Sequence, residues 1–333
     1  MPFVFDYQQA SFQGLDAIKA VSIIDGGYFE HRLLSFDSDS LKHVRLSLGD
    51  TKLESGSHNF PIIARGKVAP NTIYIGFMSV GAESTRYNGI PVEAGRMRIY
   101  PEGTEVLYQA TGAAQWFTYS ISRQTLQAAL DQYSAGLFQL STDQIITLHI
   151  TPAVLEQLKQ EVADVLVMAE KLSQFRDTAT SSIAKMLSDN LMSAYVKAIC
   201  APQNIIEDAK SLSLNRFHGQ LVMGSEHLAL MNMEQHVKLT ELADFTGYSL
   251  RAMELIFKKT VGMTPTRWFI NIRLNGALRD LMQGTESTSV SEVANRWGFQ
   301  HLARFSEQYR KAFGELPSKT LARARKNTQQ IAD

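Results

Sequence analysis

The sequence predicts an α+β chain, with a β-rich N-terminal domain followed by an all-helical C-terminal domain. Three observations predict it. Short β-branched and aromatic segments recur between turn signals over residues 20–122. The pattern changes to a helical period at Thr151. Near the C-terminus the chain repeats itself with a period of about 51 residues.

The strand segments are Tyr28–Phe36, His43–Leu48, Pro61–Arg65, Thr72–Val80, Arg96–Tyr100, Glu105–Gln109 and Gln115–Ser120. Turns are marked by Ser55-Gly56-Ser57, Pro70-Asn71, Asn88-Gly89 and Glu102-Gly103. Many short strands at this spacing imply a sandwich or barrel, occupying residues 1–150.

Thr151 followed by Pro152 has the form of an N-cap with proline in the first helical turn. Behind it Leu155, Leu158, Val162, Val165, Ala169 and Leu172 are spaced 3-4-3-4-3, a heptad seam on one face. A second helix is expected from about Asp177 to Cys200, with Ile183, Leu187, Leu191 and Ala194 along its stripe. Two readings stand for residues 151–200. Both stripes pack on their own β-domain, or the helix pair forms the interface of a homodimer. Ala201 to Ser213, opened by Pro202, reads as a linker, so residues 201–225 join the halves and 226–327 form the C-terminal domain.

With 333 residues the chain is long enough for two ordinary domains. It has no apolar run of ~18 residues and no secretory leader pattern. Cys200 is its only cysteine, which excludes an intramolecular disulfide, and cytoplasmic residence is expected. The zero net charge hides an asymmetry. From His236 to Asp333 there are 15 Lys and Arg against 9 Asp and Glu, leaving the first 235 residues net acidic. A basic domain joined to a mildly acidic one fits a DNA-facing half. His31, His43 and His58 are scattered through the β-region without a His-x-His pair. No metal site, cofactor or enzymatic activity is therefore expected.

In the repeat, Leu242-Ala243 recurs as Val293-Ala294, and Gly247-Tyr248 as Gly298-Phe299. Then Met253 matches Phe305, Phe257 matches Tyr309, Lys258-Lys259 matches Arg310-Lys311, Gly262 matches Gly314, and Thr264-Pro265 matches Leu316-Pro317. The offset grows by one midway, so the second turn carries an extra residue. Each copy reads as a helix-turn-helix, over 240–259 and 291–311. Thr240 and Ser291 are expected to cap the first helices and Ser249 a second one. Gly247 and Gly298 supply the sharp turns. Thr266 to Gln283 reads as one joining helix, with Trp268, Phe269, Ile272, Ala277, Leu278 and Leu281 buried. Eighteen residues span roughly 27 Å, and successive major-groove faces lie ~34 Å apart. Such a spacer holds two helices to one face of a duplex.

The stretches LTELADFTGYS, LIFKKTVGMTP, RLNGALRDLM and VANRWGFQHLARFSEQYRKAFGELPS resemble the AraC/XylS family of transcription regulators, over about Leu228 to Ala324. The resemblance implies double-stranded promoter DNA as the partner, read beside RNA polymerase. The family also often carries an N-terminal cupin-like β-barrel followed by dimerising helices, and the first 200 residues are similar to that in order.

The expected base-reading positions are Leu250, Arg251, Glu254 and Leu255 in the first unit. In the second they are His301, Ala303, Arg304 and Glu307. Lys258, Lys259, Arg310 and Lys311 end the two helices, as phosphate contacts or as helix C-terminal charges. In the β-domain Arg65, Arg86, Arg96, Arg98, Tyr100 and Trp116 are either solvated strand faces or the site of an anionic or aromatic effector whose identity is not legible. Two functions follow: a regulator gated by a small molecule, or a DNA-binding chain whose N-terminal half only dimerises or binds a protein.

Overall fold

Strands form where one residue in two is apolar, because the pleat sends alternate side chains to opposite faces. The computed structural model describes residues 3–13, 30–34, 40–175, 178–201, 205–206, 210–231 and 239–332. Its strands are β1 (Phe5–Gln13), β2 (Glu30–Leu33), β3 (Ser40–Leu48), β4 (Thr51–His58), β5 (Ile62–Lys67), β6 (Thr72–Val80) and β7 (Thr85–Tyr87). They continue with β8 (Ile90–Pro91), β9 (Arg96–Tyr100), β10 (Glu105–Ala110), β11 (Ala114–Ser122), β12 (Ile146–His149) and β13 (Ile205–Ile206). A first sheet runs β1-β3-β4-β11-β6-β9-β12-β13 and a second β2-β5-β10-β7-β8. The expected sandwich or barrel is thus two facing sheets.

The predicted strand segments lie on β3, β5, β6, β9, β10 and β11; of Tyr28–Phe36, residues 28–29 and 35–36 fall outside the described residues. Ser55-Gly56-Ser57 is a correction. It is no turn but the end of β4, paired with both β3 and β11. Glycine stands there because the Trp116 indole lies on it; a Cβ would come within 2.4 Å of the ring.

The first sheet is two-faced. Leu46, Leu53, Ile75, Met97, Tyr119 and Ile121 point to one side and join the core formed with the helices. Those helices are α1 (Arg123–Ser134), α2 (Pro152–Leu172) and α3 (Thr178–Ile199). The Thr151 hydroxyl caps α2 with proline in its first turn, as expected. The seam Leu155, Leu158, Val162, Val165, Ala169 and Leu172 is buried in this domain's own core. Those side chains are therefore not an exposed dimer seam, and of the two readings the intramolecular one describes them. On α3, Leu187, Leu191 and Ala194 are buried while Ile183 is exposed.

The C-terminal helices are α4 (Lys210–Met231), α5 (Leu239–Thr246), α6 (Leu250–Val261), α7 (Pro265–Met282), α8 (Val290–Arg296), α9 (Leu302–Phe313) and α10 (Pro317–Ala332). Two stretches of the expected linker have regular structure: Ile205–Ile206 pairs with β12, and α4 begins at Lys210, while residues 202–204 and 207–209 lie outside the described residues. All six apolar positions expected along the joining helix are buried on α7.

The second sheet is covered on both faces. Ile62, Ala64, Val106 and Tyr108 point toward the first sheet and line a cavity. Their neighbours Ile63 and Leu107 point the other way, into a core with Val222, Met223, Met253 and Trp268 of the helical domain. Polar groups fix the same contact. The amides of Asn271 and Asn275 donate to the Leu33 carbonyl (3.0 Å each), and the Leu33 N–H donates back to Asn275 (2.9 Å). Gln109 donates to the Val261 carbonyl at 2.7 Å. The fully buried Glu226 carboxylate accepts from Arg32, and from Arg65 at 3.2 Å. The Arg32 guanidinium lies 5.6 Å over the Trp268 ring.

Glu226→Ala leaves two arginines without their shared carboxylate, one of them fully enclosed. Removing one partner of such a buried pair costs about 3–5 kcal/mol, so urea denaturation of this variant should show a markedly lower midpoint, with Glu226→Asp between it and the parent.

Burial lowers His43 and His58 from 6.5 to about 4, with nearby Arg45 adding to the effect at His43. Both rings are neutral in the folded chain near pH 7; unfolding lets them bind protons below ~6.5. Their contribution is complete above that value and is lost as pH falls from there toward 4. The denaturation midpoint should drop between pH 7 and pH 4.5, and His58→Gln should flatten the slope.

Candidate nucleic-acid interface and inner cavity

The recognition helices are built by capping and burial. Ser249 is extended, and its hydroxyl accepts from the Ala252 N–H at 3.2 Å, starting α6. Gly247 and Gly298 turn the chain with φ of 72° and 76°. Two expected caps are corrected. Helix α5 begins at Leu239, so Thr240 lies inside it. Helix α8 is capped by Ser289 rather than Ser291, in a reciprocal capping box with Glu292. Ser289 lies three residues before Glu292, the spacing at which each side chain reaches the other's backbone N–H.

On α6, Met253, Ile256 and Phe257 are buried, while Leu250, Arg251, Glu254, Leu255, Lys258 and Lys259 are exposed. On α9, Phe305, Tyr309 and Phe313 are buried, while Ala303, Arg304, Glu307, Arg310 and Lys311 are exposed, with His301 at the N-cap. Every expected base- and phosphate-facing residue is therefore on a solvent face. Leu255 is 61% exposed and Leu250 44%, too open to be core packing. Both helices end at a left-handed glycine whose N–H bonds the carbonyl one turn back: Gly262 to Lys258 and Gly314 to Arg310. That closes the last turn through the backbone. Lys311 instead pairs with Glu307 at 2.7 Å, and this pairing holds the Glu307 carboxyl below its usual range.

Helix α7 braces both units. Its N-terminal half carries Trp268 and Phe269 into the first unit's core, and its C-terminal half carries Leu278 and Leu281 into the second's. At Gly276 the Trp297 ring lies where a Cβ would stand, 2.1 Å away. The Trp297 indole N–H and Arg296 both donate to Asp280 at 2.9 Å. Arg325 donates to the carbonyls of Thr285, Glu286 and Thr288 and so ties down the loop between α7 and α8.

Asn271, Asn275, Gln109 and Glu226 were not expected as functional positions. The signal for the two asparagines is their i, i+4 spacing beside apolar residues in a helix that otherwise buries that side. Buried asparagines must find partners, and theirs lie in the other domain.

Of the residues expected around an effector, Tyr100 and Trp116 line the space between the sheets, and Arg96 and Arg98 line a smaller recess beside it. Arg65 is on the outer face at Glu226. Arg86 lies opposite Gln109 on the outward face too. The cavity encloses about 90 Å³. His58 spans it from one side: its Nδ1 bonds the Phe60 carbonyl and its Nε2 the Tyr108 hydroxyl, both at 2.9 Å.

Comparison with known proteins adds to this geometry. The helix-turn-helix domain family matches residues 242–323. The xylDLEGF operon transcriptional activator of Pseudomonas putida is 38% identical over 96 residues, 28% of this chain and 30% of that one. The probable thc operon regulatory protein of Rhodococcus erythropolis is 35% identical over 103 residues, 29% of this chain and 31% of its own. A solved structure of a probable AraC family transcriptional regulator from Rhodopseudomonas palustris is 33% identical, covering 32% of this chain and 98% of that one, with a TM-score of 0.30. The helical domain is a helix-turn-helix domain similar to those of AraC/XylS regulators. The AraC/XylS match lies in the helical domain, and the chain spans about 30% of the length of the curated relatives named here.

Gly276→Ala would push the Trp297 ring off α7. Overpacking of this kind costs about 1–3 kcal/mol. Tryptophan fluorescence should report a lower melting temperature, and backbone amide exchange should rise in α8 and α9 more than in α6.

Proposed function

We propose that the chain is a sequence-specific DNA-binding transcription regulator, acting as an activator on promoter DNA with RNA polymerase, and gated by a small molecule in the cavity between its sheets. The observation that carries the DNA-binding part is the pair of exposed helix faces with basic last turns, braced on one rigid helix. Because the backbone of Gly262 and Gly314 closes the helix ends, the Lys258, Lys259 and Arg310 side chains are available to phosphates. Arg251 and Arg304 have the fork that pairs with guanine, and Leu250 and Leu255 suit thymine methyl groups. Activation is read from the Pseudomonas putida relative, a transcriptional activator.

The gating part rests on the second sheet. One layer of strands separates the cavity from the DNA-binding domain, so a ligand that shifts Ile62, Ala64 or Tyr108 also moves Ile63, Leu107 and Gln109.

The test uses a duplex selected in vitro by the full chain and a scrambled control. Arg251→Ala should lower discrimination between them by about 1–3 kcal/mol. Lys259→Ala should weaken both alike and reduce the salt slope of binding by about 1. The reverse pattern, measured by fluorescence anisotropy, would overturn the assignment.

A further inference from the structure

We infer that Leu302, a residue outside the base-facing set expected from sequence, reads the C5 methyl group of a thymine, and that Leu250 reads another at the equivalent place in the next major-groove segment. This rests on the reading of α6 and α9 as the DNA-reading helices, and it names a base that both of them recognise.

Both helices are twelve residues long, and both start with leucine. Ser249 and His301 enter them with extended backbone, and Gly262 and Gly314 end them in the left-handed region. Counted from the leucine, buried residues fall at the same places: Met253 and Phe305, then Phe257 and Tyr309, then Val261 and Phe313. The two leucines are thus carried to equivalent positions, and each is 44% exposed. A single exposed leucine is ordinary. The same leucine, equally open at the same place in both copies of a motif, is a pattern.

Charge gives a second, independent signal. A helix N-terminus favours acidic side chains, and the supporting helices have them: Glu241 in the first turn of α5 and Glu292 in that of α8. The first turns of α6 and α9 have none. An acid there would repel the phosphates that flank a groove, whereas leucine brings neither charge nor hydrogen-bonding group. In a helix-turn-helix the N-terminal residues of the second helix reach the base edges. Of the four bases, thymine alone presents a methyl group in the major groove, so an apolar side chain at this place favours thymine.

The positions that follow diverge. Arginine stands second in α6, at Arg251, and third in α9, at Arg304. Leu255 is 61% exposed, but its counterpart in α9 is Glu307, which pairs with Lys311 at 2.7 Å. The leucine that opens each helix is therefore the apolar contact the two units share, set among different neighbours.

The test takes a duplex selected in vitro by the full chain and replaces each thymine in turn by deoxyuridine, which removes only the methyl group. Fluorescence anisotropy should find a thymine in each groove segment, about 10 base pairs apart, whose methyl group contributes about fourfold in affinity, as for one buried methyl. Leu302→Ala should erase the effect in one segment and leave the other, and Leu250→Ala should do the converse. At either place 5-methylcytosine should bind more tightly than cytosine. Alanine is a strong helix former and both leucines are open to solvent, so the fold is kept; Leu302→Met, expected to retain part of the effect, gives a second comparison. Methyl effects that are absent, that fall in one segment only, or that survive both alanine variants would overturn the inference. A chain that prefers the selected duplex to a scrambled one yet ignores every methyl group sinks this inference alone. A chain that cannot tell the two duplexes apart sinks the reading of α6 and α9 with it.

Discussion

The two-residue period of the second sheet is the constraint on which the rest depends. A strand has only two faces, and in β5 and β10 both are used. Ile62, Ala64, Val106 and Tyr108 close the cavity, while Ile63, Arg65, Leu107 and Gln109 hold the helical domain. A slip of one residue would exchange the two sets and put Arg65 and Gln109 in the cavity. Register here therefore fixes the cavity lining and the seat of the helical domain together. The first sheet shows the same economy on a larger scale, with a helical layer behind it and the cavity in front.

The helical domain was the more legible half. A helix-turn-helix repeats its signals at fixed offsets, and each is local: a glycine at positive φ, a hydroxyl cap, apolar residues at i, i+3 and i+4. Gly247, Gly298, Ser249 and the buried side of α7 could thus be named from sequence. The caps at Thr240 and Ser291 missed for a local reason as well. Several hydroxyl residues crowd each helix start, and only the capping box with Glu292 singles out Ser289. The β-domain was less legible. β4 reads TKLESGSH, polar enough to pass for a turn, and becomes a central strand because Trp116 on β11 covers its glycine. That contact joins residues far apart in sequence and leaves no periodic trace.

The heptad seam shows the limit from the other side. Its spacing defines one apolar face of α2 correctly but not what covers it. The same pattern serves a coiled coil or a helix lying on a sheet, and here the sheet and α3 cover it. The six positions expected around an effector divide in the same manner. Sequence alternation groups Arg96, Arg98 and Tyr100 on one face, whereas only the pairing of strands across two sheets reveals that this face looks inward and that Arg65 and Arg86 look outward.

The contact between the halves has an uneven grammar. Asn271, Asn275 and Gln109 reach across with side chains, but what they grasp is main chain, at Leu33 and Val261. Main-chain atoms are the same whatever residue carries them. Selection can therefore see the grasping amides, while the grasped positions are at liberty to drift in identity as long as the strand edge and the helix end keep their course. Divergence in a lineage of such chains would then be lopsided: the residues at 33 and 261 can change identity without breaking these bonds, whereas Asn271, Asn275 and Gln109 cannot.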